Sequence, residues 1–458
     1  MTKSKRIFMK LSIPAAAIVL LIIPLGCKHD DDTSERTKEI NRFIKETMDF
    51  VYLWNTDMPI LDPNKQPDPK AFFYNLLNDT DDRWSYITDE YSSLAASLSG
   101  VEFSMGYSFE LKLFNNKVVG FVEYVEKDSP ADKANIKRGD ILYKIDGQEM
   151  NVDNYYDLLN KQSYTLTLGS IVSTSEIISS LPSIKLTAKI LDINPIFKDT
   201  IYEIEGKKIG YLIYNSFVDK YKDQLTEVFE RFKMENLTDL ILDLRYNSGG
   251  SVSVAKYLAS TIGPSYIMGQ TMFKSTYNAS LTDFYLKEYP NDTEIFEERF
   301  DTVQSNLNLN RLIVLTTRNS ASASEMIIYS LKPYMDVIQI GATTPGKYYA
   351  SIVIPEPREE KEWAIMPLIM KTQNSNSTID YTQGQVPLHI MADDYTHELG
   401  DMDENLLAKA ISIITSSGYQ GTMDLKSPIL SEQGPFLRSK ENLNPIKFRM
   451  LIDNILTK

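Results

Sequence analysis

Arg318-Asn319-Ser320-Ala321-Ser322-Ala323-Ser324-Glu325 runs directly into the apolar stretch Met326-Ile327-Ile328 and on to Leu331. Small residues around a serine, followed by helix-like apolar spacing, predict a hydroxyl sitting exposed at a helix start. There the unpaired backbone N–H groups and the helix dipole favour developing negative charge. Immediately upstream, Leu312-Ile313-Val314-Leu315 reads as a buried strand, and Val337 to Ile340 reads as another downstream. After that second strand comes Thr344-Pro345-Gly346-Lys347. A lysine buried beside a serine can give up its proton and act as a general base.

Working outward, Lys207-Lys208-Ile209-Gly210-Tyr211-Leu212-Ile213-Tyr214 and Leu240-Ile241-Leu242-Asp243-Leu244-Arg245 are further buried strands. Between them, residues 220–233 place Leu225, Val228, Phe229 and Phe232 on one helix face. Strands alternating with helices predict a largely parallel, layered α/β core. The second strand ends in Tyr246-Asn247-Ser248-Gly249-Gly250, where two glycines allow backbone amides to turn outward. A polar insertion at about 270–307 is expected to lie over the surface.

From about Gly100 the apolar period becomes two. Tyr107, Phe109, Leu111 and Leu113 alternate with polar residues, Asn115-Asn116 marks a turn, and Val118 to Val125 follows as a second strand. Ser129-Pro130-Ala131, Gly139-Asp140-Ile141-Leu142 and Ile145-Asp146-Gly147 then resemble, in this order, a PDZ domain of the bacterial protease type. That resemblance implies that a peptide adds as an edge strand with its terminal carboxylate in a glycine-containing loop, here Met105-Gly106-Tyr107. Before this region, Ile40, Phe43, Ile44, Met48, Val51 and Tyr52 recur at helical spacing, so 35–98 reads as a small helical cap.

Taken together, the Gly-Gly loop, the Ser-Ala-Ser-Glu run and the Pro-Gly-Lys turn, behind a PDZ-like region, resemble the C-terminal processing peptidases, also called tail-specific proteases. The resemblance extends from about residue 36 to residue 415. By position it implies Ser322 as nucleophile, since its spacing to Lys347 is the family's, and Lys347 as general base. Backbone N–H groups of Ala323 and of Gly249 or Gly250 would form the oxyanion hole. Asp243 and Arg245 would hold the loop, and Ser324 and Glu325 would serve the helix start. Many family members carry a glutamine four residues beyond the lysine; here that position is Ser351, a shorter group that would orient the amine. Asp380 to Pro387 resembles the family's closing strand and turn.

The fold class expected is therefore multidomain α/β: a layered peptidase core, a PDZ-like β-rich domain and the cap. The expected divisions are 1–26 signal peptide, 27–36 acidic tether, 37–98 cap, 99–193 PDZ-like domain, 194–420 core and 421–458 C-terminal extension.

The chain of 458 residues carries a net charge of −14, which argues against a nucleic-acid partner. Lys3, Lys5, Arg6 and Lys10 precede an apolar run from Leu11 to Leu25, too short for a comfortable membrane span and suited to a signal-peptide core. It ends at Leu25-Gly26-Cys27, where Cys27 is the single cysteine of the chain. This resembles a bacterial lipobox, apart from Pro24 where leucine is usual, and implies lipidation of Cys27 and a membrane anchor. The following Lys28-His29-Asp30-Asp31-Asp32 resembles the acidic export tag of surface lipoproteins in Bacteroidetes-like bacteria. An outer-membrane lipoprotein facing the periplasm or the cell surface is expected.

Only His29, His389 and His397 could serve a Ser-His-Asp triad or a zinc site, and none lies in a recognisable motif. No metal or cofactor is expected. The expected function is a cell-envelope serine endopeptidase acting on proteins or peptides near their C-termini. A catalytically silent peptide-binding lipoprotein is the alternative, and a crotonase-type acyl-CoA enzyme a weaker one that leaves the Ser/Lys pair unexplained.

Overall fold

Four runs of aliphatic residues form the centre of the protein because each is buried on both faces, as a parallel sheet sandwiched between helices requires. A computed structural model describes residues 29–173, 176–179, 182–376, 381–415 and 449–452. The central sheet runs in the order Ile196–Ile204, Lys207–Tyr214, Asp239–Asp243, Arg311–Thr316, Asp336–Gly341, His389–Ile390. The first pair is antiparallel and every later pair is parallel. Helices Lys222–Met234, Val252–Ile262 and Ala323–Leu331 cover one face through Phe229, Phe232, Leu258 and Ile327. Helix Asn405–Thr415 covers the other through Leu406, Leu407 and Ile411. The strands Asp239–Asp243, Arg311–Thr316 and Asp336–Gly341 all end on the same side, where α/β sheets bind their ligands. Their carboxyl ends lead into the Gly-Gly, serine and lysine segments respectively.

A second six-stranded sheet has the order Gly249–Ser251, Arg449–Leu451, Tyr349–Ser351, Leu368–Asn374, Thr271–Tyr277, Glu297–Arg299. One expectation changes here. The insertion at 270–307 does not merely lie over the surface. It supplies two strands and the helix Ala279–Glu288, and it buries Phe273, Tyr277, Leu281 and Tyr285 in the main core. Its aromatic residues drive that burial, although polar neighbours dilute them in the sequence. The C-terminal extension also contributes a strand, pairing Gly250 with Met450 and Ser351 with Leu451.

The PDZ-like region forms its own sheet, Tyr107–Phe114, Lys117–Val125, Ile141–Ile145, Ser163–Ser173, Glu176–Ser179, with a separate core around Val122, Leu142 and Leu166. Asn115 and Asn116 take φ of 48° and 63°, the left-handed pair that a tight hairpin demands. The chain enters and leaves this region through a two-stranded ribbon, Val101–Ser104 against Lys189–Asp192.

In the cap, helices His29–Val51 and Pro69–Asn75 bury Ile44, Met48, Phe72 and Phe73. The helix starts at His29, inside the stretch expected to be a tether; acidic residues are favourable at a helix N-terminus. Strand Tyr86–Thr88 pairs with Ala364–Met366, and the Leu368 N–H donates to Ser85 Oγ at 2.9 Å. These bonds join the cap to the core. Cys27 and Asp380 lie outside the described residues.

Candidate active site

The three serines of the Ser320–Ser324 run differ in what their hydroxyls do. Ser320 Oγ donates to Leu244 O at 2.8 Å, and Ser324 Oγ donates to Asn247 O at 2.8 Å. Both are spent tying the helix start to the end of the neighbouring strand. The Ser322 hydroxyl is buried and has no hydrogen-bond partner. Ser322 also holds φ 64°, ψ −115°, an uncommon backbone for a non-glycine residue. The turn has the shape of a capping box; Glu325 makes its closing bond at 2.7 Å, while the serine half is too loose to occupy the hydroxyl.

Contrary to the expectation of an exposed hydroxyl, Ser322 is 0% exposed. The Asn247 segment packs against it from one side, where the Ala321 N–H donates to Asn247 O at 3.1 Å. The Thr344–Lys347 segment packs against it from the other, through Glu325.

Glu325 was legible only as a helix-start group, and the structure gives it a larger part. One carboxylate oxygen accepts from the N–H groups of Ser322 (2.7 Å) and Lys347 (2.9 Å). The other accepts from Thr344 Oγ1 (2.5 Å) and the Gly346 N–H (2.8 Å). Burial pushes this carboxyl up to about 7, against the pull of those four bonds. Gln385 Nε2 fixes the Glu325 carbonyl at 2.8 Å, tying in the stretch that follows residue 380.

Lys347 is 1% exposed, and its Nζ lies 5.7 Å from the centre of the Trp84 ring. Trp84 comes from the cap and carried no signal in the sequence reading. Ser351 Oγ is buried without a hydrogen-bond partner, so it makes no bond to the Lys347 amine.

At the Gly-Gly loop, Gly250 has φ +140°, and a Cβ there would fall 2.3 Å from Phe217 O. Only glycine allows this approach. The Gly249 N–H donates to Asn247 Oδ1 at 2.9 Å and is occupied. The Ala323 N–H is the first of its helix, one of the amides left without an intrahelical acceptor.

Beneath the loop, fully buried Arg245 pairs with Asp243 (2.9 Å), Glu404 (3.0 Å) and Asp393 (2.7 Å). Arg138 of the PDZ-like region reaches the same Asp393 at 2.9 Å and donates to Tyr246 Oη at 2.5 Å. Burial alone would raise Asp393, but Arg138 and Arg245 hold it well below the usual carboxylate range. Glu123 of that region accepts from Asn319 Nδ2 at 3.0 Å, three residues before the serine. His397 pairs with Asp394 at 2.6 Å in the loop that wraps Arg138, and His389 lies on the edge strand. Among the described residues no cluster of three or more metal-binding side chains occurs.

A cavity of about 2010 Å³ lies between cap, PDZ-like region and core, reached by Trp84, Tyr107, Glu126, Gly250, Arg318 and Thr344. Gly106 lies on it at φ +82°, and a Cβ there would fall 2.1 Å from Ser129 Cβ. The Gly106 N–H donates to Ser104 Oγ at 3.0 Å. Its carbonyl accepts from the Glu126 N–H at 2.8 Å, which makes Tyr107 and Val125 a non-hydrogen-bonded pair. The Tyr107 amide therefore faces the open edge of the sheet.

The sequence profile of peptidase family S41 matches residues 208–380, that of the S41 N-terminal domain residues 39–86, and that of a PDZ domain residues 121–168. The chain belongs to peptidase family S41. It is 25% identical over 370 residues to a probable CtpA-like serine protease of Staphylococcus aureus (strain N315), covering 77% of this chain and 67% of that one. It is 24% identical over 262 residues to a carboxyl-terminal-processing protease of Picosynechococcus sp., covering 57% and 58%. The crystal structure of a putative S41 protease from Bacteroides fragilis NCTC 9343 superposes with a TM-score of 0.67 at 27% identity, covering 82% of this chain and 97% of that one. This S41 protein thus has the make-up of a serine peptidase with a PDZ domain, a combination that implies protein or peptide substrates.

Proposed function

We propose that this S41 peptidase is an endopeptidase that cuts polypeptides near their C-termini with a Ser322–Lys347 dyad. The observation that carries the reading is the unpartnered Ser322 hydroxyl at a helix start, with its backbone joined to that of Lys347 through one Glu325 oxygen. A solvated lysine is an ammonium at neutral pH and cannot accept a proton; burial disfavours that form. The neutral Lys347 amine takes the hydroxyl proton as Ser322 Oγ bonds to the scissile carbonyl carbon. The carbonyl oxygen becomes an oxyanion, met by the Ala323 N–H and by an amide of the Gly249–Gly250 loop; each such donor contributes about 3 kcal/mol. Collapse breaks the C–N bond, and the ammonium returns its proton to the leaving amine. Water, deprotonated by the same amine, then releases the acyl group and restores the serine.

The Tyr107 amide and the open edge strand Tyr107–Phe114 suit a peptide adding as a further strand, with its carboxylate near Gly106. Among the described residues no helix is long and apolar enough to cross a membrane. In this reading, attachment to the cell envelope rests on a lipid carried by Cys27, with the enzyme facing the periplasm or the outside.

Digestion of casein by the full chain in detergent tests the reaction. Ser322→Ala and Lys347→Ala are each expected to abolish it, whereas Ser324→Ala retains it. The complete burial of Ser322 is also what a catalytically silent peptide-holding protein would show. No digestion by the wild-type chain, with or without added C-terminal peptides, would favour that second reading.

A further inference from the structure

The N-terminal cap does more than brace the core, because one of its side chains both lines the cavity and lies against the buried lysine. The Asp82 carboxylate accepts from the N–H groups of Trp84 (2.9 Å) and Ser85 (2.8 Å) and from Tyr52 Oη (2.9 Å), which holds this turn in one conformation. Pairing of Tyr86–Thr88 with Ala364–Met366 then presses the turn against the core. Trp84 lines the cavity, and its ring centre is 5.7 Å from Lys347 Nζ. Lys347 itself is 1% exposed.

We propose that Trp84 is a positioning residue for the general base, its indole walling the Lys347 amine off from cavity water. The inference rests on the Ser/Lys reading and adds the cap to the machinery. A ring face attracts an ammonium, which opposes the effect of dehydration, but burial is the larger influence. Arg83 lies 5.1 Å from the same ring centre and shares that attraction. The other ionisable groups about the lysine are the Glu325 carboxylate at its backbone, the Tyr329, Tyr348, Tyr349 and Tyr381 hydroxyls of the adjoining aromatic cluster, and Lys371 over the Tyr348 ring. None of these is exchanged when Trp84 is replaced, so a change in pH dependence reports the wall.

The experiment is kcat and KM against pH for the full chain in detergent, as wild type, Trp84→Phe and Trp84→Ala. Water admitted beside the amine favours the ammonium, so Trp84→Ala is expected to move half-maximal kcat upward by about one pH unit. At pH 7 its kcat is expected to fall by about tenfold, with KM little changed. Trp84→Phe keeps the wild-type profile. Should Trp84→Ala melt early, Trp84→Val leaves a similar gap and is read in the same way. A Trp84→Ala or Trp84→Val profile unmoved, or moved to lower pH, overturns the proposal. Ser322→Ala and Lys347→Ala run alongside: activity in either means that the dyad reading has failed. Loss in both, with an unmoved profile for the Trp84 variants, removes only the wall.

Discussion

Ser322 and Lys347 donate their backbone N–H groups to the same carboxylate oxygen of Glu325, at 2.7 and 2.9 Å. The segment carrying the proposed nucleophile and the segment carrying the proposed base, which follow different strands, are thereby held in register by one side chain. Its other oxygen holds Thr344 and Gly346, so all four acceptor positions meet donors.

Glu325→Gln replaces one acceptor oxygen with an NH2 group that faces donors. kcat is expected to fall about a hundredfold with little change in KM, measured on a peptide substrate. In the wild type, formation of the carboxylate that accepts all four bonds should add a rise in activity through about pH 7 to the one set by the lysine, and Glu325→Gln should remove that added step. Stability runs the other way. Because the folded value lies above the ordinary 4.5, the group's stabilising contribution is complete below that value and is lost as pH rises through about 7. Thermal melts across pH 4 to 8 check the sign.

Gly250→Ala should disable the enzyme. The added Cβ meets the Phe217 carbonyl at 2.3 Å, and the backbone at φ +140° strains any L side chain. Displacing the loop and its amides is expected to lower kcat by about 10² to 10³. Gly147→Ala, where nothing lies within 4 Å of the new Cβ, controls for strain alone, since its φ of +76° is also positive.

Arg245→Ala leaves Asp243, Glu404 and Asp393 facing one another without their shared cation. Breaking a buried pair of this kind costs about 3–5 kcal/mol, and chemical denaturation should register it. Asp393 supplies the pH dependence of the same network. Its carboxyl is held below the usual range, so its contribution is present above about pH 4 and is lost as pH falls further.

Because Ser322 is fully buried while the cavity reaches Gly250 and Thr344, access to the hydroxyl requires movement. Peptides ending in a free carboxylate are expected to speed labelling of the serine by a fluorophosphonate. Gly106→Val, which forces a side chain into Ser129, should abolish that acceleration. Labelling that ignores added peptide would count against coupling between the PDZ groove and the serine.

The parallel core was legible because Leu240–Leu242 and Leu312–Leu315 are short, unbroken apolar runs, which only a doubly covered strand tolerates. The Thr271–Tyr277 and Arg449–Leu451 strands were not. The first mixes Lys274, Ser275 and Thr276 with its aromatics, and the second is three residues long. At the site, Ser322 and Lys347 stood out because their neighbours are small or turn-forming. Glu325 looked like an ordinary helix-start acid because its second partner segment arrives through the fold. Trp84 could not be seen at all, since its proximity to Lys347 depends on how the cap docks on the core. The Gly249 amide is taken by the Asn247 side chain, while Gly250 lies in the ladder with Met450, and neither partner announces itself in the sequence.

The most direct test is to label the full-length protein with a fluorophosphonate, in the presence of a C-terminal peptide, and map the adduct by mass spectrometry. The account predicts a single modified serine, residue 322, with labelling lost in Ser322→Ala and in Lys347→Ala. An adduct on Ser320 or Ser324, or undiminished labelling in Lys347→Ala, would contradict it.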